Sequence, residues 1–352
     1  MHMADALISP AVGGAMWAVS AGAMGYCSKK VREELAEQKV PLMGVLGAFI
    51  FTAQMINFTI PATGSSGHLG GGLLLAVLLG PYAAFLVTAS VLVIQAFFFA
   101  DGGLLALGCN IFNLGFFPAF IAYPFFRSIA GSGTNRKRLA AASVIAATLG
   151  LEMGAFGVVL ETVASGIASL PFAGFSALML SIHLVIGLVE GMVTATVVSL
   201  VAAASPELLS TEFAPFAARH SARTASATIL TLALLTGGFL SWFASEQPDG
   251  LEWSIEKATG GKPIKETDTA VHAALSALQR KSSLFPDYAV RSPAAPENAV
   301  NSPPGTADMS GRQREGNHHT STGLAGIAGG LITLAVTFVL GILIRKPSKS
   351  AG

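Results

Sequence analysis

The sequence predicts an all-α membrane protein, with a seven-helix bundle at residues 1–210 and a two-helix hairpin at about 222–352. Charged residues make up only 12% of the chain and hydrophobic residues 52%, whereas soluble domains carry roughly 25% charged residues. The mean hydropathy is +0.62. These values exclude a water-soluble globular domain and a disordered chain. The third observation is a series of apolar runs long enough to cross about 30 Å of hydrocarbon.

The apolar runs predict about nine spans in order along the chain. They lie near residues 10–28, 41–60, 69–80, 82–99, 110–126, 139–165, 177–203, 224–244 and 322–344. The third run is short and rich in glycine, and its junction with the fourth at Gly80–Pro81 is the least sharply defined. The 39 glycines in the chain fit helices that approach one another closely in a membrane.

The basic residues orient these spans. If the N-terminus is outside, 13 of the 21 Lys and Arg residues fall in short cytoplasmic segments, as the positive-inside rule requires. The others lie in a long polar segment, about 246–321, which the same count places outside. Its final part is rich in Pro, Ser, Asn and Gly and is typical of a flexible linker. The C-terminus is then cytoplasmic.

Several other functions are disfavoured by composition and motifs. A net charge of +1 argues against a nucleic-acid partner. Cys27 and Cys109 lie in apolar surroundings without partner spacing, which argues against a disulfide framework or a zinc–cysteine site. Phosphate-binding, dinucleotide-binding and hydrolase motifs do not occur, so we expect no ATP site in this chain. The start, MHMADALISP, lacks the basic region of a cleavable signal peptide, so we expect the first span to be retained.

His2 occupies a position with special chelating geometry. A histidine at the second residue offers three nitrogens in nearly one plane: the amine of Met1, its own amide nitrogen and its imidazole. One further nitrogen completes the square that Ni(II) and Cu(II) prefer. The alternative interpretation is that His2 is an ordinary exposed terminal residue.

A polar, glycine-rich segment at 57–72 interrupts the apolar runs at the predicted outer face. Non-helical backbone at this depth persists only where it is buried in protein or lines a cavity. His68 lies on the side of the membrane where it would supply a fourth nitrogen to the His2 chelate. The alternative is a polar re-entrant turn that only packs. The other polar groups here are Asn57, Thr59, Thr63, Ser65 and Ser66.

Ionisable residues inside the predicted spans form a further set, namely Glu152, Glu161, His183 and Glu190. Such residues are costly in a membrane and are often functional. His183 and Glu190 are predicted to share one helical face and to pair with each other or with Glu152. A structural hydrogen-bond network and a metal pathway remain equal alternatives for this set. The pair His318–His319 is predicted to be a solvated part of the linker, with transient metal capture as its alternative.

A second Gly- and Asn-bearing interruption follows at 101–113. Asn110 and Asn113 have a spacing of three residues, and we expect them to hold the outer loops by hydrogen bonds rather than to contact substrate.

Taken together, the motifs resemble the cobalt/nickel substrate-binding membrane component of energy-coupling factor transporters, over essentially all of residues 1–205. The segments that carry the resemblance are Met1-His2, Ser9-Pro10, IPATGSSGHLGGG (60–72), LLALGCNIFN (104–113) and HLVIGLVEGMVTA (183–195). The resemblance implies a seven-helix fold in which the N-terminus inserts toward the core. It also implies that Met1, His2 and His68 hold the metal.

The segment PDGLEWS (248–254) resembles the small two-span accessory component of the same transporters, fused here in one chain. The resemblance implies uptake of nickel or cobalt at a bacterial or archaeal cytoplasmic membrane. Loops around 57–70 and 101–110 would close over the metal. A transmembrane coupling protein and cytoplasmic ATPase subunits would be the partners, and the chain itself would be neither an enzyme nor the holder of a cofactor.

Two other function classes remain as alternatives. One is a secondary metal transporter driven by an ion gradient, with Glu152, Glu161, His183 and Glu190 as a proton relay. The other, an intramembrane metalloenzyme, is disfavoured because no motif combines ligands with a base. A four-nitrogen plane favours nickel over cobalt, as does the general order of divalent affinities.

Overall fold

A computed structural model of the chain describes residues 1–34, 39–131, 135–204, 218–262, 269–289 and 315–344. The described chain is mostly helical, which confirms the predicted all-α class. Part of the predicted linker, 290–314, lies outside the described residues. The basic residues at the C-terminal end, Arg345, Lys346 and Lys349, also lie outside them.

The main helices follow one another along the whole chain. They are α1 (Pro10–Glu34), α2 (Val40–Gln54), α3 (Gly72–Leu79), α4 (Pro81–Phe99), α5 (Leu107–Ile111), α6 (Tyr123–Ala130), α7 (Arg136–Ser165), α8 (Phe172–Ala204), α9 (Ala218–Gly238), α10 (Gly250–Thr259), α11 (Ala270–Ser282) and α12 (Glu315–Ile344). A π-helical stretch, Phe112–Ala122, joins α5 to α6 and contains Pro118, which lacks a backbone N–H donor.

Five helical segments in the described chain are long and apolar enough to cross a membrane. They are Pro81–Phe99, Leu107–Ala130, Arg136–Ser165, Phe172–Val201 and Ser321–Ile344. Val40–Gln54 and Ser226–Gly238 are shorter apolar helices. The membrane character of the chain is therefore confirmed, while the count of about nine spans and the seven-helix bundle remain predictions.

The outward faces of the helices agree with a lipid environment. On α8, Leu184, Leu188 and Met192 are exposed and follow one another at a spacing of four residues, which places them on a single stripe. The opposite side of α8 packs along α7, and α12 packs against α2 and α9. The packed helices thus leave an apolar surface where acyl chains would lie.

The predicted run at 69–80 is not a spanning helix by itself. The helix α3 has eight residues, which at 1.5 Å per residue cover about 12 Å. The residues just before α3 also lie beside α2. Gln54 Nε2 donates to the carbonyl of Gly70 (2.8 Å), and Lys39 Nζ donates to the carbonyl of Leu78 (3.5 Å). Since Lys39 and Gln54 mark opposite ends of α2, the loop and α3 together run along the length of α2.

The loop before α3 contains a short hairpin that the sequence did not predict. Strands β1 (Phe58–Ile60) and β2 (Ser65–Gly67) pair antiparallel, with Thr59 opposite Ser66. Its turn includes Gly64 at φ 75°, in the left-handed region that glycine adopts readily. The hairpin leads directly into His68.

The segment at about 246–321, predicted to be a long outer loop, contains more secondary structure than the prediction of a loop and linker suggested. It contains α10 and α11 and a 3-10 turn, Pro286–Tyr288. The helix α12 begins at Glu315, so His318 and His319 lie in a helix rather than in the predicted linker. That part of the linker prediction is wrong, because the helix of the last span extends beyond its apolar residues.

Candidate metal site

The first three residues are buried among the outer loops. Met1 is 4% exposed and Met3 is 0% exposed. The backbone N–H of Met3 donates to Asn110 Oδ1 (2.8 Å), and its carbonyl accepts from Asn110 Nδ2 (3.2 Å) and the N–H of Gly103 (2.9 Å). Asn110 therefore holds the N-terminal strap, defined as residues 1–8. Because the residues on both sides of His2 are buried, the interpretation of His2 as an exposed terminal residue is wrong.

The terminal amine meets His68 directly. The nitrogen of Met1 donates to Nε2 of His68 at 2.8 Å. The other ring nitrogen, Nδ1, lies 3.2 Å from the carbonyl of Leu69 and donates to it. This hydrogen bond leaves the lone pair of Nε2 facing the amine, so two of the predicted metal donors are adjacent and oriented toward each other.

His2 lies beside the same pair. Its ring stacks on that of His68, with centroids 5.0 Å apart and an interplanar angle of 5°. Nδ1 of His2 contacts Asp101 Oδ1 at 3.0 Å, and the hydroxyl of Tyr288 donates to the other carboxylate oxygen. Nε2 of His2 is buried and has no hydrogen-bond partner among the described residues. The three predicted donor residues are thus brought together, although the His2 ring faces Asp101 and not the amine.

Two carboxylates border the donors. Asp249 Oδ2 accepts from the Met1 amine at 2.7 Å and lies 3.9 Å from His68 Nε2. Burial alone would raise the pKa of Asp249, but the Met1 ammonium and His68 hold it below its usual range. Burial also opposes ionisation of Asp101, yet the His2 ring and the hydrogen bonds from His2 and Tyr288 hold its pKa low. Both groups are therefore carboxylates at neutral pH.

His68 itself is neutral. Burial, then the Met1 ammonium and His2, lower its pKa to about 3. A neutral imidazole is the form that binds metals.

The supporting polar residues of the loop hold the outer segment rather than the donors. Ser66 donates through its backbone N–H to the carbonyl of Pro248 (2.8 Å) and through Oγ to that of Gln247 (2.7 Å). Ser65 Oγ also approaches the carbonyl of Pro248. Thr59 Oγ1 donates to Ser245 Oγ, and the carbonyl of Asn57 accepts from the N–H of Ser245.

Glu190 fixes the backbone that follows His68. Its two carboxylate oxygens accept from the N–H groups of Gly70 (2.9 Å) and Gly71 (3.0 Å). The predicted pairing of Glu190 with His183 or Glu152 is not observed among the described residues. Glu190 instead joins α8 to the loop that carries His68.

The other intramembrane groups have separate local partners. Asn113 Nδ2 donates to Glu161 Oε2 at 2.6 Å, so Asn113 joins two helices and not the outer loops. His183 Nδ1 donates to the carbonyl of Met179 at 2.8 Å. Glu152 Oε1 is buried without a partner among the described residues. These contacts agree better with a structural hydrogen-bond network than with a continuous metal pathway.

A small cavity adjoins the donors and is lined in part by Met1, His68 and His183. Its volume of about 10 Å³ is close to the minimum for one water molecule. Within the described residues, no group of three or more His, Cys, Asp and Glu side chains could hold a metal ion. The predicted set has only two such side chains and uses main-chain nitrogens for the rest, so it is a different kind of site.

Sequence reasoning did not identify Asp101 and Asp249 as site residues. Both residues belong to segments that the sequence marks, 101–113 and PDGLEWS. Neither segment indicates that its aspartate lies close in space to Met1 or His2. One local signal was available. Asp249 followed three residues later by Glu252 is a capping-box pattern that predicts a helix start at Gly250.

Known protein families match most of this chain. Two family models match the sequence: Cobalt uptake substrate-specific transmembrane region over residues 2–208, and PDGLE domain over residues 223–346. A putative fused nickel transport protein of Archaeoglobus fulgidus is 36% identical over 215 residues, which are 61% of this chain and 70% of that protein. A probable fused nickel transport protein of Lactiplantibacillus plantarum is 29% identical over 304 residues, 82% of this chain and 89% of that protein. A crystal structure of a transition metal transporter is 30% identical with a TM-score of 0.52, covering 58% of this chain and 93% of that one.

Proposed function

The chain belongs to the family of the cobalt-uptake substrate-specific transmembrane region, and from this premise we propose that it binds nickel outside the membrane for an ATP-driven uptake transporter. It joins a substrate-binding membrane component of the energy-coupling factor type and its small accessory component in one polypeptide. We further propose that the first comprises residues 1–210 and the second residues 222–352. Cobalt is the alternative substrate.

The observation that carries this proposal is the contact between the Met1 amine and His68 Nε2, 2.8 Å apart, with the His2 ring stacked beside them. These are nitrogen donors from two distant parts of the chain. An amine that has lost its proton and a neutral imidazole are both good ligands for nickel.

The chelate requires one change in the arrangement described above. Only Nδ1 of His2 can close a ring with the amide nitrogen of the same residue, and Nδ1 contacts Asp101. A half-turn of the ring about Cβ–Cγ moves Nδ1 away and carries Nε2 toward the Asp101 side. The amine, the His2 amide and Nδ1 would then be joined by His68 in a plane that suits Ni(II).

In this proposal the N-terminus is extracytoplasmic and the C-terminus cytoplasmic. Metal enters from outside, and the loops at 57–70 and 101–110 close over it. Cytoplasmic ATPase subunits, acting through a transmembrane coupling protein, reorient the component and release the metal inward.

The alternative, a secondary transporter with a proton relay, has less support. The relay would need Glu152, Glu161, His183 and Glu190 to exchange protons in sequence. In the described chain, the hydrogen bonds of Glu161, His183 and Glu190 lead to an amide, a carbonyl and the loop, respectively. Transport that continues without ATPase subunits but requires an ion gradient would favour this alternative.

Metal content of the purified full chain tests the proposal. We expect one nickel per chain with the original N-terminus, and loss of nickel when two glutamines, which are too large to permit removal of the initiator methionine, are inserted between Met1 and His2. Two residues are chosen because a histidine in the third position would form a four-nitrogen chelate of its own. Nickel binding that survives the insertion would contradict the chelate.

The pH dependence of nickel affinity gives a second test. Chelation displaces protons from the amine and the amide, so the affinity should fall steeply as the solution becomes acidic. A flat profile in a metal titration would contradict the proposed ligands.

A further inference from the structure

The PDGLE segment of the accessory region is docked on the loop that carries His68. In addition to the contacts of Ser66 with Gln247 and Pro248, the indole Nε1–H of Trp253 donates to the carbonyl of Thr63 at 3.0 Å. These hydrogen bonds fix residues 247–253 relative to the hairpin. The start of α10 therefore has a defined place at the metal site.

The two carboxylate oxygens of Asp249 have separate tasks. Oδ1 accepts from the N–H groups of Leu251 and Glu252, both at 2.9 Å, and so caps α10. Oδ2 accepts from the Met1 amine at 2.7 Å. The helix thus fixes the carboxylate, and the carboxylate holds the amine next to His68.

Gly250 permits this close approach. A Cβ atom at this position would lie 3.0 Å from Cε1 of His183 and 3.0 Å from Cδ1 of Ile186, both on α8. The absence of a side chain brings the start of α10 against α8. Asp249 consequently reaches the amine from a rigid position rather than from a solvated loop.

We propose that Asp249 is a positioning residue of the nickel site, through which the accessory region orients the Met1 amine toward the metal. This inference rests on the proposed function. A metal-bound amine keeps N–H bonds, and one of them can continue to donate to Oδ2. The arrangement corresponds to the acceptors that orient metal ligands in other proteins, whose loss weakens metal affinity by about 10- to 100-fold.

The role extends to each predicted donor. His68 Nδ1 donates to the carbonyl of Leu69, and after the half-turn of the His2 ring Nε2 would lie on the side of Asp101, which also accepts from Tyr288. Asp249 completes this pattern for the amine. Asp249 and Tyr288 both come from the accessory region, so that region supports the donors at two points.

The test compares the variants Asp249→Asn and Asp249→Ser with Glu252→Gln in the full chain. Asn and Ser are both good N-cap residues, so α10 should keep its start. Asn removes the charge beside the amine, and Ser is also too short to reach it. Glu252→Gln is the matched control, because it changes a carboxyl group in the same turn, keeps an oxygen that can accept from the N–H of Asp249, and Glu252 makes no hydrogen bond to Met1.

Nickel affinity is measured by calorimetry, and the visible spectrum of bound Ni(II) is recorded at saturation. We expect Glu252→Gln to match the original chain, Asp249→Asn to bind more weakly, and Asp249→Ser to bind about 10- to 100-fold more weakly. The spectrum at saturation should be unchanged, because the ligands themselves are retained.

Three results would overturn the inference. They are unchanged affinity in both Asp249 variants, an equal loss in Glu252→Gln, or an altered spectrum in the Asp249 variants. If the original chain binds no nickel, the proposed function fails and the inference fails with it. If the original chain binds nickel and the Asp249 variants bind it equally well, only the inference fails.

Discussion

The end of the molecule that carries Met1, predicted to be its outer end, and the interior of its helices treat their buried polar groups differently. At the outer end, groups from four separate segments converge on the Met1 amine and the two histidines, His2 and His68. Inside the spans, Glu161 and His183 each have a nearby partner of their own. Polar groups that meet at one point can form a binding site, whereas groups that pair separately only satisfy each other's hydrogen bonds.

This difference indicates where a metal site could form in this fold. A divalent cation needs several donors that can turn toward one point, and within the described residues the nitrogens of Met1, His2 and His68 come together in this way. Glu190 belongs to neither group, because it lies in a span but holds the outer loop. The following variants would break or sharpen this comparison.

The largest effect is expected for His68→Ala. This variant removes a nitrogen donor, so nickel affinity should fall by more than the roughly 100-fold that marks loss of a supporting contact. The double variant His318→Ala/His319→Ala removes two other histidines and should keep full affinity. Metal content and calorimetry on the purified chains measure both. If the double variant loses its nickel and His68→Ala keeps it, the site has been assigned to the wrong region.

An intermediate effect is expected for Glu190→Gln. The new NH₂ group would face one of the N–H groups of Gly70 or Gly71, and a buried donor without an acceptor costs about 1–3 kcal/mol. The loop that carries His68 should loosen, and nickel affinity should fall by about 10-fold. Glu152→Gln is the control, since Glu152 Oε1 has no partner among the described residues. If Glu190→Gln and Glu152→Gln bind nickel equally well, Glu190 does not support the metal site.

A smaller effect is expected for Trp253→Phe. Phenylalanine keeps a ring but loses the hydrogen bond to the carbonyl of Thr63, which is worth about 0.5–1.5 kcal/mol. The accessory segment should dock less firmly, and nickel should dissociate somewhat faster. Stopped-flow measurement of release to a chelator tests this. If Trp253→Phe lost as much nickel affinity as His68→Ala, docking of the accessory segment would be required for nickel binding.

The smallest effect on binding is expected for Glu161→Gln. Glutamine keeps an oxygen that can accept from Asn113 Nδ2, so this hydrogen bond is weakened rather than lost, at a cost of about 1 kcal/mol of stability or less. Nickel affinity should be unchanged, while the melting temperature in detergent falls slightly. If nickel binding disappears instead, the interior groups take part in metal handling and the two regions cannot be separated as described.

Much of the candidate site could be predicted because the proposed donors are marked by local sequence. The second position of His2 defines a chelate without reference to any other residue, and the glycines around His68 predict irregular backbone. The roles of Asp101 and Asp249 could not be predicted in the same way. Asp249 is 248 positions from Met1 along the chain, and periodicity reports only on neighbours within an element.

The fold shows the same limit. Apolar composition predicts helices wherever a long run occurs, and it was correct for the membrane class. It placed the start of α3 too early, because Gly70 and Gly71 donate their N–H groups to Glu190 and belong to the loop, while the end of α3 at Leu79 agrees with the Gly80–Pro81 junction. The hairpin was also missed, since strands of three residues are too short for alternation to be visible.

The contact between Asp249 and the Met1 amine has a consequence for stoichiometry. Both groups belong to one polypeptide, so every copy of the site carries its own carboxylate in a fixed ratio of one to one. The contact is intramolecular and is governed by an effective concentration rather than by expression level. Dilution into detergent should therefore not separate the two regions, whereas a transporter with a separate accessory subunit would lose that contact as its subunits dissociate.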